Sequence, residues 1–546
     1  MQPSTVIPKT QTRSPWSWFG LTLAAMPVVY YFGMLSWYAY DMPYMDDYPS
    51  LVDFLNKLPT ASLGERWRLL MEQNNFHRIV WVKGVSWLMY TLTGQVSFTV
   101  LQYIGSAALL LISWLLYRIF SDQHPIQRWL FLPVLFFIFQ FQFWNNTFWA
   151  MASMSNLWTP AWALLAFWLS NRRREMGALV VGLVALLTVG NGILVLPLLL
   201  ASFLFQRQIR WAVITLVVLI PAYALYFSGY SNPSSVSSAS LLSPDRFSHL
   251  LALDASFLGA MFYHPAVSWL PMLVGGAIIG WTLYLLITRY DRINPTLFWM
   301  LVFLHLTGLM LAVNRIENPV EVVFASRYKN TTAFLMAVTY LTVADVWVRN
   351  RFRARRWFGV SSLTVAVGIC LVSDITYFSK IVRFRELKQT DQLLWERYSI
   401  IRGCSPTYPA AQQLSKLAKA GMFRPHSLAL AELASRPAPV PALTPSANKL
   451  RYRVDLRKVE NGFLVVSGFA KIDGQKANFN DMFLAVEAPG GWQFFTTLFH
   501  QRLDKEDSLN DKDTGFMAII PLSLVSPTAR LGLFVRSGTK TAFQPI

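Results

Sequence analysis

The feature that most constrains this chain is a recurring apolar stretch of bilayer-spanning length, separated from the next by a short loop rich in arginine and lysine. Roughly 20 apolar residues in a helix cross a hydrocarbon core of about 30 Å. Lipid offers the backbone no hydrogen-bond partners, so such stretches must satisfy themselves as helices. The stretches lie at 16–40, 97–119, 129–148, 154–171, 176–190, 192–206, 211–228, 268–288, 295–313, 331–348 and 357–377. They predict a mainly α polytopic membrane protein of about eleven helices. Composition agrees, since 54% hydrophobic and 14% charged residues over 546 positions do not suit a soluble chain. The stretches 176–190 and 192–206 are short and interrupted by Gly190-Asn191-Gly192. Irregular backbone at membrane depth is tolerated where it lines a cavity, which marks this break as the edge of a site.

A net charge of +19 raises the question of nucleic acid. The basic residues, however, lie in short loops between apolar runs, which excludes that partner and gives an orientation instead. Segments 1–15, 118–128, 171–175, 207–210, 289–294 and 349–356 hold sixteen Lys or Arg against Asp122, Glu175 and Asp291. The positive-inside rule places them on the cytoplasmic side. Residues 41–96, 145–153, 229–267, 314–330 and everything after 378 then face outward. Lys9 and Arg13 precede a first apolar stretch too long for a signal-peptide core and without a small-residue cleavage site. It reads as a retained helix with a cytoplasmic N-terminus. Cys370 falls in an apolar run and Cys404 in a polar one, so no disulfide framework is implied.

Three regions follow. Residues 1–378 form the membrane region. Its first outer loop, 41–96, carries two interfacial helices at 51–72 and 79–93. The second of these has Lys83 inside and is too short to span. Residues 379–447 hold a helical segment and a stiff linker with Pro437, Pro439, Pro441 and Pro445. From 448 to 546 the pattern changes to period two, with a Glu460-Asn461-Gly462 hairpin turn and further strands at 482–488, 492–499, 515–520 and 531–536. That region predicts a soluble extracytoplasmic β-sandwich.

Four clusters carry chemistry. Asp41, Asp46, Asp47 and Asp53 sit just past the first helix. A carboxylate there can act as general base, or several together can hold a divalent cation such as Mg or Mn through Asp41, Asp46 and Asp47. The competing reading is a set of solvated residues at a membrane exit. His77 and Arg78, followed by Lys83, suit a phosphate or an interfacial anchor. Arg315, Arg327, Tyr328 and Lys329 lie on the outer side, against the charge bias elsewhere. Guanidinium binding of phosphate explains them, as does pairing with Glu317 or Glu321. Trp144, Asn145, Asn146 and Trp149, with Asn156 and Trp158, suit a sugar, although tryptophan at this depth also forms plain interfacial belts. His249, His264 and His305 are isolated and read as structural. The run Asp504–Asp513 has interleaved lysines and lacks the glycine of a calcium loop, so it reads as a solvated turn.

Several stretches together resemble the GT-C superfamily of integral-membrane glycosyltransferases, in particular a bacterial branch of it. They are Asp46-Asp47, Asn75-Phe-His77-Arg78-Ile79-Val80, Gly190-Asn191-Gly192-Ile-Leu-Val-Leu-Pro197 and Ser326-Arg327-Tyr328. The resemblance covers most of the membrane region and rests on order and topology more than on any one motif. It implies a polyprenyl-phosphate sugar donor, an acceptor that is a glycan, lipid or protein, and inversion at the anomeric carbon. It also implies an acidic catalytic residue at Asp46 or Asp47, and phosphate contacts from Arg327, Lys329 and His77. A transporter or flippase of lipid-linked sugars is the alternative, as is a non-catalytic assembly protein. A transporter predicts charges along the midplane of several helices, whereas Asp345 and Asp374 lie at helix ends in the expected topology.

Overall fold

The computed structural model describes residues 15–231, 243–350, 355–405, 407–439, 448–475, 481–501 and 514–546. Lys9, Arg13, Arg351, Arg353, Pro441, Pro445 and the run Asp504–Asp513 lie outside the described residues. In chain order the main helices are α1 (Pro15–Tyr38), α2 (Leu63–Met71), α3 (Val80–Thr93), α4 (Phe98–Gln123), α5 (Leu132–Ile138), α6 (Trp144–Phe148), α7 (Trp158–Asn171) and α8 (Glu175–Leu186). They continue as α9 (Val195–Phe205), α10 (Ile209–Phe227), α11 (Pro244–Leu258), α12 (Leu270–Ile287), α13 (Pro295–Asn314), α14 (Lys329–Arg349), α15 (Arg355–Tyr398) and α16 (Ala410–Lys419). Among the described residues seven helices are long and apolar enough to cross a membrane, within α1, α4, α10, α12, α13, α14 and α15. The protein is therefore membrane-embedded.

Four of the eleven predicted stretches are not single long helices. The stretch 129–148 breaks between α5 and α6, where Gln140 replaces backbone bonds with its own side chain. Its Oε1 accepts from Gln142 N (2.7 Å) and from Ser373 Oγ (2.6 Å). The stretch 154–171 is regular only as α7, 14 residues long. Helices α8 and α9 have 12 and 11 residues, about 18 and 17 Å. They pack side by side as a hairpin, each shorter than a bilayer core, whose tip is Gly190–Leu194. Gly192 is required there, because a Cβ would sit 1.8 Å from the Ala185 carbonyl oxygen.

Two further boundaries move. The expected interfacial helix 51–72 is broken, since Pro59 falls in a tight turn and Ser62 starts α2 afresh. The Ser62 amide donates to Glu65 Oε2 (2.8 Å) and the Glu65 amide to Ser62 Oγ (3.4 Å), a reciprocal cap. The boundary expected at 378 falls inside α15, which runs unbroken for 44 residues, about 66 Å. That is twice a bilayer core, so the helix leaves the apolar region and carries on as a polar one. The helix expected at 79–93 is found as α3, which buries Val82, Lys83 and Ser86 and exposes Leu88 and Leu92.

Several helix ends are tied together by charged side chains. At one end of the bundle Asp345 accepts from Tyr290 Oη (2.5 Å) and Arg349 Nε (2.8 Å) and contacts His124 Nε2 (2.5 Å), tying the ends of α4, α13 and α14 together. Arg172 pairs with Asp122 at the same end. The loops that follow α1 and α13 meet at the other end.

A short hairpin in the membrane region pairs β1 (Gln73–Asn74) with β2 (His77–Arg78). The C-terminal region is β-rich, built from β3 (Pro437–Ala438), β4 (Leu450–Glu460), β5 (Phe463–Ile472), β6 (Asp481–Ala488), β7 (Gly491–Thr496), β8 (Leu498–His500), β9 (Gly515–Pro521), β10 (Leu531–Ser537) and β11 (Lys540–Pro545). The later strands make two antiparallel sheets, ordered β11-β10-β6-β7-β3 and β4-β5-β9-β8. Both sheets contribute to one buried cluster that includes Val466, Leu484, Phe516 and Leu533. The predicted hairpin turn is present, with Asn461 and Gly462 both at positive φ (49° and 80°). Strand β11 was not foreseen.

Candidate functional site

Immediately after α1 the backbone turns at Met45, whose φ of 47° is left-handed. Asp47 is fully buried, and its carboxylate accepts from the amides of Tyr44 (3.0 Å) and Met151 (2.9 Å). Burial pushes the Asp47 carboxyl above its usual value, while the nearby Lys388 charge and the two amides pull it back. Asp46, its neighbour in sequence, points the other way into a cavity. Its Oδ2 accepts from Asn75 Nδ2 (3.4 Å). Burial raises the Asp46 pKa and the Arg327 charge opposes that rise.

Hairpin β1–β2 turns at Asn75, which is also left-handed (φ 49°), and presents His77. The hairpin is anchored by Arg78, buried and donating to the carbonyls of Tyr226 (2.5 Å), Met71 and Ser228. His77 rests against the α8–α9 tip, where Gly190 leaves room for its ring. Burial lowers the His77 pKa, so its imidazole is neutral near pH 7.

Arg327 comes from a single tight turn, Ser326–Tyr328, before α14. Ser326 Oγ donates to the Gln142 carbonyl (2.8 Å) and accepts from the Asn145 amide (3.3 Å). Asn146 Nδ2 donates to the Arg327 carbonyl (2.8 Å) and to Asn330 Oδ1 (2.9 Å), while Asn156 Nδ2 donates to Asn146 Oδ1 (3.0 Å). The break between α5 and α6 thus supplies the carbonyl and amides that fix this turn.

These pieces close around a cavity of about 500 Å³. Its polar lining includes Asp46, His77, Asn156, Asn191, Arg315 and Arg327. Its apolar lining includes Ile193, Tyr226, Phe227, Phe257, Met310 and Leu311. Tyr328 and Asn330 also line it. The Nε of Arg315 is buried without a partner, and Glu317, a candidate partner for these arginines, instead pairs with Arg246 (2.8 Å). Among the described residues no carboxylate forms an ion pair with Arg315 or Arg327. Two guanidinium groups against one carboxylate leave the cavity with a positive balance, suited to an anionic headgroup beside an apolar body.

Of the residues singled out by sequence, Asp46, His77, Asn191, Arg315, Arg327 and Tyr328 converge on this cavity. Trp149 and Asn156 of the aromatic–amide cluster line it as well, whereas Asp41, Asp47, Arg78, Lys83, Asn145, Asn146 and Lys329 do not. Asp47 and Arg78 hold backbone as described. Lys83 donates to the carbonyls of Leu69 (2.9 Å) and Glu72 (3.2 Å), and Lys329 to Tyr377 Oη (2.9 Å). Asn145 and Asn146 act one layer behind the wall. Asp41 Oδ1 accepts from the Thr99 amide (3.1 Å) at the start of α4. Asp41 and Asp47 are therefore committed elsewhere, and the three aspartates do not form the divalent-cation site considered from sequence. Among the described residues no group of three His, Cys, Asp or Glu side chains is placed to hold a metal ion. The cavity side of Asp46 offers one carboxylate beside two arginines, which does not fit a bound Mg or Mn.

Sequence reasoning missed the α10 aromatics and Phe257. The spacing of Tyr223, Tyr226, Phe227 and Tyr230 was the available signal, but it is indistinguishable from an interfacial belt. His249 hydrogen-bonds the Asn318 carbonyl (3.0 Å), His305 the Thr282 hydroxyl (2.7 Å), and His264 Nδ1 accepts from the Ala266 amide (3.2 Å). Comparison with family models, curated proteins and solved structures finds no match to this chain.

Proposed function

We propose that the protein is a glycosyltransferase of the GT-C kind, moving a sugar from a polyprenyl-phosphate donor to a glycan, lipid or protein acceptor. The observation that carries this reading is the meeting of Asp46, His77, Arg315 and Arg327 in one cavity that also has apolar lining. A lipid-linked substrate needs both kinds of surface, since each buried methylene holds it to the bilayer by about 0.8 kcal/mol. In the reaction Asp46 takes the proton of an acceptor hydroxyl. The acceptor oxygen bonds to the anomeric carbon from the side opposite the phosphate, and inversion follows. The bond from that carbon to the phosphate oxygen breaks, its electron pair leaving on the phosphate. Arg315 and Arg327 stabilise that charge as it develops, and neutral His77 and Asn191 hydrogen-bond the donor.

The shorter apolar segments belong, in this reading, to an eleven-segment membrane region in which α8 and α9 enter without crossing. The two C-terminal sheets form a β-sandwich outside a bacterial inner membrane, with the N-terminus cytoplasmic. Incubating membranes with labelled polyprenyl-phosphate sugars tests the proposal. The wild-type protein should release polyprenyl phosphate and label an acceptor, and Asp46→Asn should lower both by about 10²–10⁴-fold. Release that is equal in wild type and in Asp46→Asn refutes it.

A further inference from the structure

The turn that follows α15, far along the chain from Asp46, reaches back to the loop that carries it. Asp391 is buried, and its two oxygens accept from the amides of Arg402 (2.9 Å) and Gly403 (2.8 Å). This fixes residues 399–404 as a tight turn, entered at Ser399 with φ 56°. The Gly403 carbonyl then accepts from the Met45 amide (2.9 Å), and Cys404 Sγ contacts the Met45 carbonyl (3.7 Å). Both peptide groups of Met45 are thus held from the same turn. Met45 is left-handed, a conformation that costs a side-chain-bearing residue and persists only where its surroundings impose it. Its handedness sends Asp46 into the cavity and Asp47 into the core. Gly403 has no room for a side chain, because a Cβ would lie 2.4 Å from Asp391 Oδ2. The turn is braced from the β-rich region, where Arg402 pairs with Asp455 (3.4 Å) and Arg397 with Glu460 (2.5 Å).

From this geometry we infer that Asp391 is a positioning residue for Asp46, acting through Gly403 and the left-handed Met45. The proposal rests on Asp46 being the functional carboxylate, and it gives the polar half of α15 a role in the site. Without the clamp Met45 relaxes to an ordinary φ and Asp46 swings out of the cavity. Asp391→Asn is the test, because it keeps the side-chain shape but turns one amide acceptor into a donor facing an N–H.

The readout is carbodiimide and amine labelling of carboxyl groups, resolved by peptide mass spectrometry over a pH series, on the full chain in detergent. In Asp391→Asn the labelling of Asp46 should rise several-fold and its pH midpoint should fall toward that of an ordinary aspartate. Glu65 and Glu487, on the surface, should be unchanged. Gly403→Ala should act the same way. Met45→Gly, which adopts the left-handed form without strain, should leave labelling unchanged in the intact chain and move it back toward wild type in Asp391→Asn. Unchanged Asp46 labelling in Asp391→Asn overturns the inference. So does labelling that rises equally at Asp46, Glu65 and Glu487, which marks general loosening. Turnover of Asp46→Asn is read separately. If that variant stays active while Asp391→Asn shifts the labelling, the positioning stands and the catalytic reading fails.

Discussion

Gly190→Ala probes the wall between the α8–α9 tip and His77. An ideal Cβ on Gly190 lies 2.8 Å from His77 Nδ1 and 3.5 Å from its Cγ. Non-bonded heavy atoms settle at about 3.5 Å or beyond, so the imidazole must retreat by about 0.7 Å. The His77 backbone has little freedom to follow, because Arg78 fixes the next residue through three carbonyls. The ring therefore moves by side-chain rotation, and about 30° off a rotamer costs on the order of 0.5–1.5 kcal/mol. The expected stability loss is about 1 kcal/mol, which is small. The expected loss of turnover is larger, up to about 100-fold, since a misplacement of about 1 Å in a reacting geometry has that effect. The assay is turnover of labelled lipid-linked sugar beside thermal unfolding in detergent. Two neighbours serve as controls. Gly84→Ala on α3 meets nothing within 4 Å and should be neutral or stabilising by up to about 1 kcal/mol. Gly192→Ala places a Cβ 1.8 Å from a backbone oxygen and should cost about 3 kcal/mol or more, by forcing α8 and α9 apart. Wild-type turnover in Gly190→Ala, with wild-type stability, refutes the placing of His77 in the site.

Asp46→Asn should lower turnover by about 10²–10⁴-fold. Because burial raises the Asp46 pKa, wild-type turnover should climb with pH through a limb displaced above that of an ordinary aspartate, and a limb at the ordinary value counts against Asp46 as base. The same shift has a stability consequence. The folded state holds the Asp46 proton longer than the unfolded one, so its contribution is full below the unfolded pKa and is lost as pH rises through the folded pKa. Asp46→Asn should therefore match wild type in acid and exceed it at neutral pH, as denaturation midpoints will report. Arg78→Ala should destabilise by about 3 kcal/mol whatever the substrate, since three carbonyls lose their donor, and a small change in melting refutes the clamp. Arg327→Ala should weaken retention of the anionic donor with at most a small change in melting, because its side chain lines the cavity, where it lies over the neighbouring Tyr328 ring (5.0 Å), and the hydrogen bond from Asn146 is to its backbone.

Much of this arrangement was legible along the chain. The apolar stretches marked the seven helices long enough to cross a membrane, though four other stretches proved shorter or broken. The Asn461-Gly462 dipeptide gave the β4–β5 hairpin, and Gly190-Asn191-Gly192 gave the break that became the cavity's edge. Local signals sufficed because each depends on residues close in sequence. The break after α5 was less legible, since Gln140 and Gln142 lie in an otherwise apolar run and their partners, Ser373 and the Met261 carbonyl, come from other elements. The length of α15 was hidden for another reason. Leaving the apolar region changes which residues a helix prefers but does not end it.

The sequence by itself determined that the chain enters a membrane and that its last hundred residues are β-rich. Only the tertiary structure decided which of two adjacent aspartates faces the cavity. Asp46 and Asp47 are the same residue type in the same loop, so composition and spacing treat them alike. Their directions differ because Met45 is left-handed, and that handedness is imposed by hydrogen bonds from the turn beyond α15. Side-chain direction follows backbone geometry, and here the backbone is set by contacts that exist only once distant parts of the chain have packed.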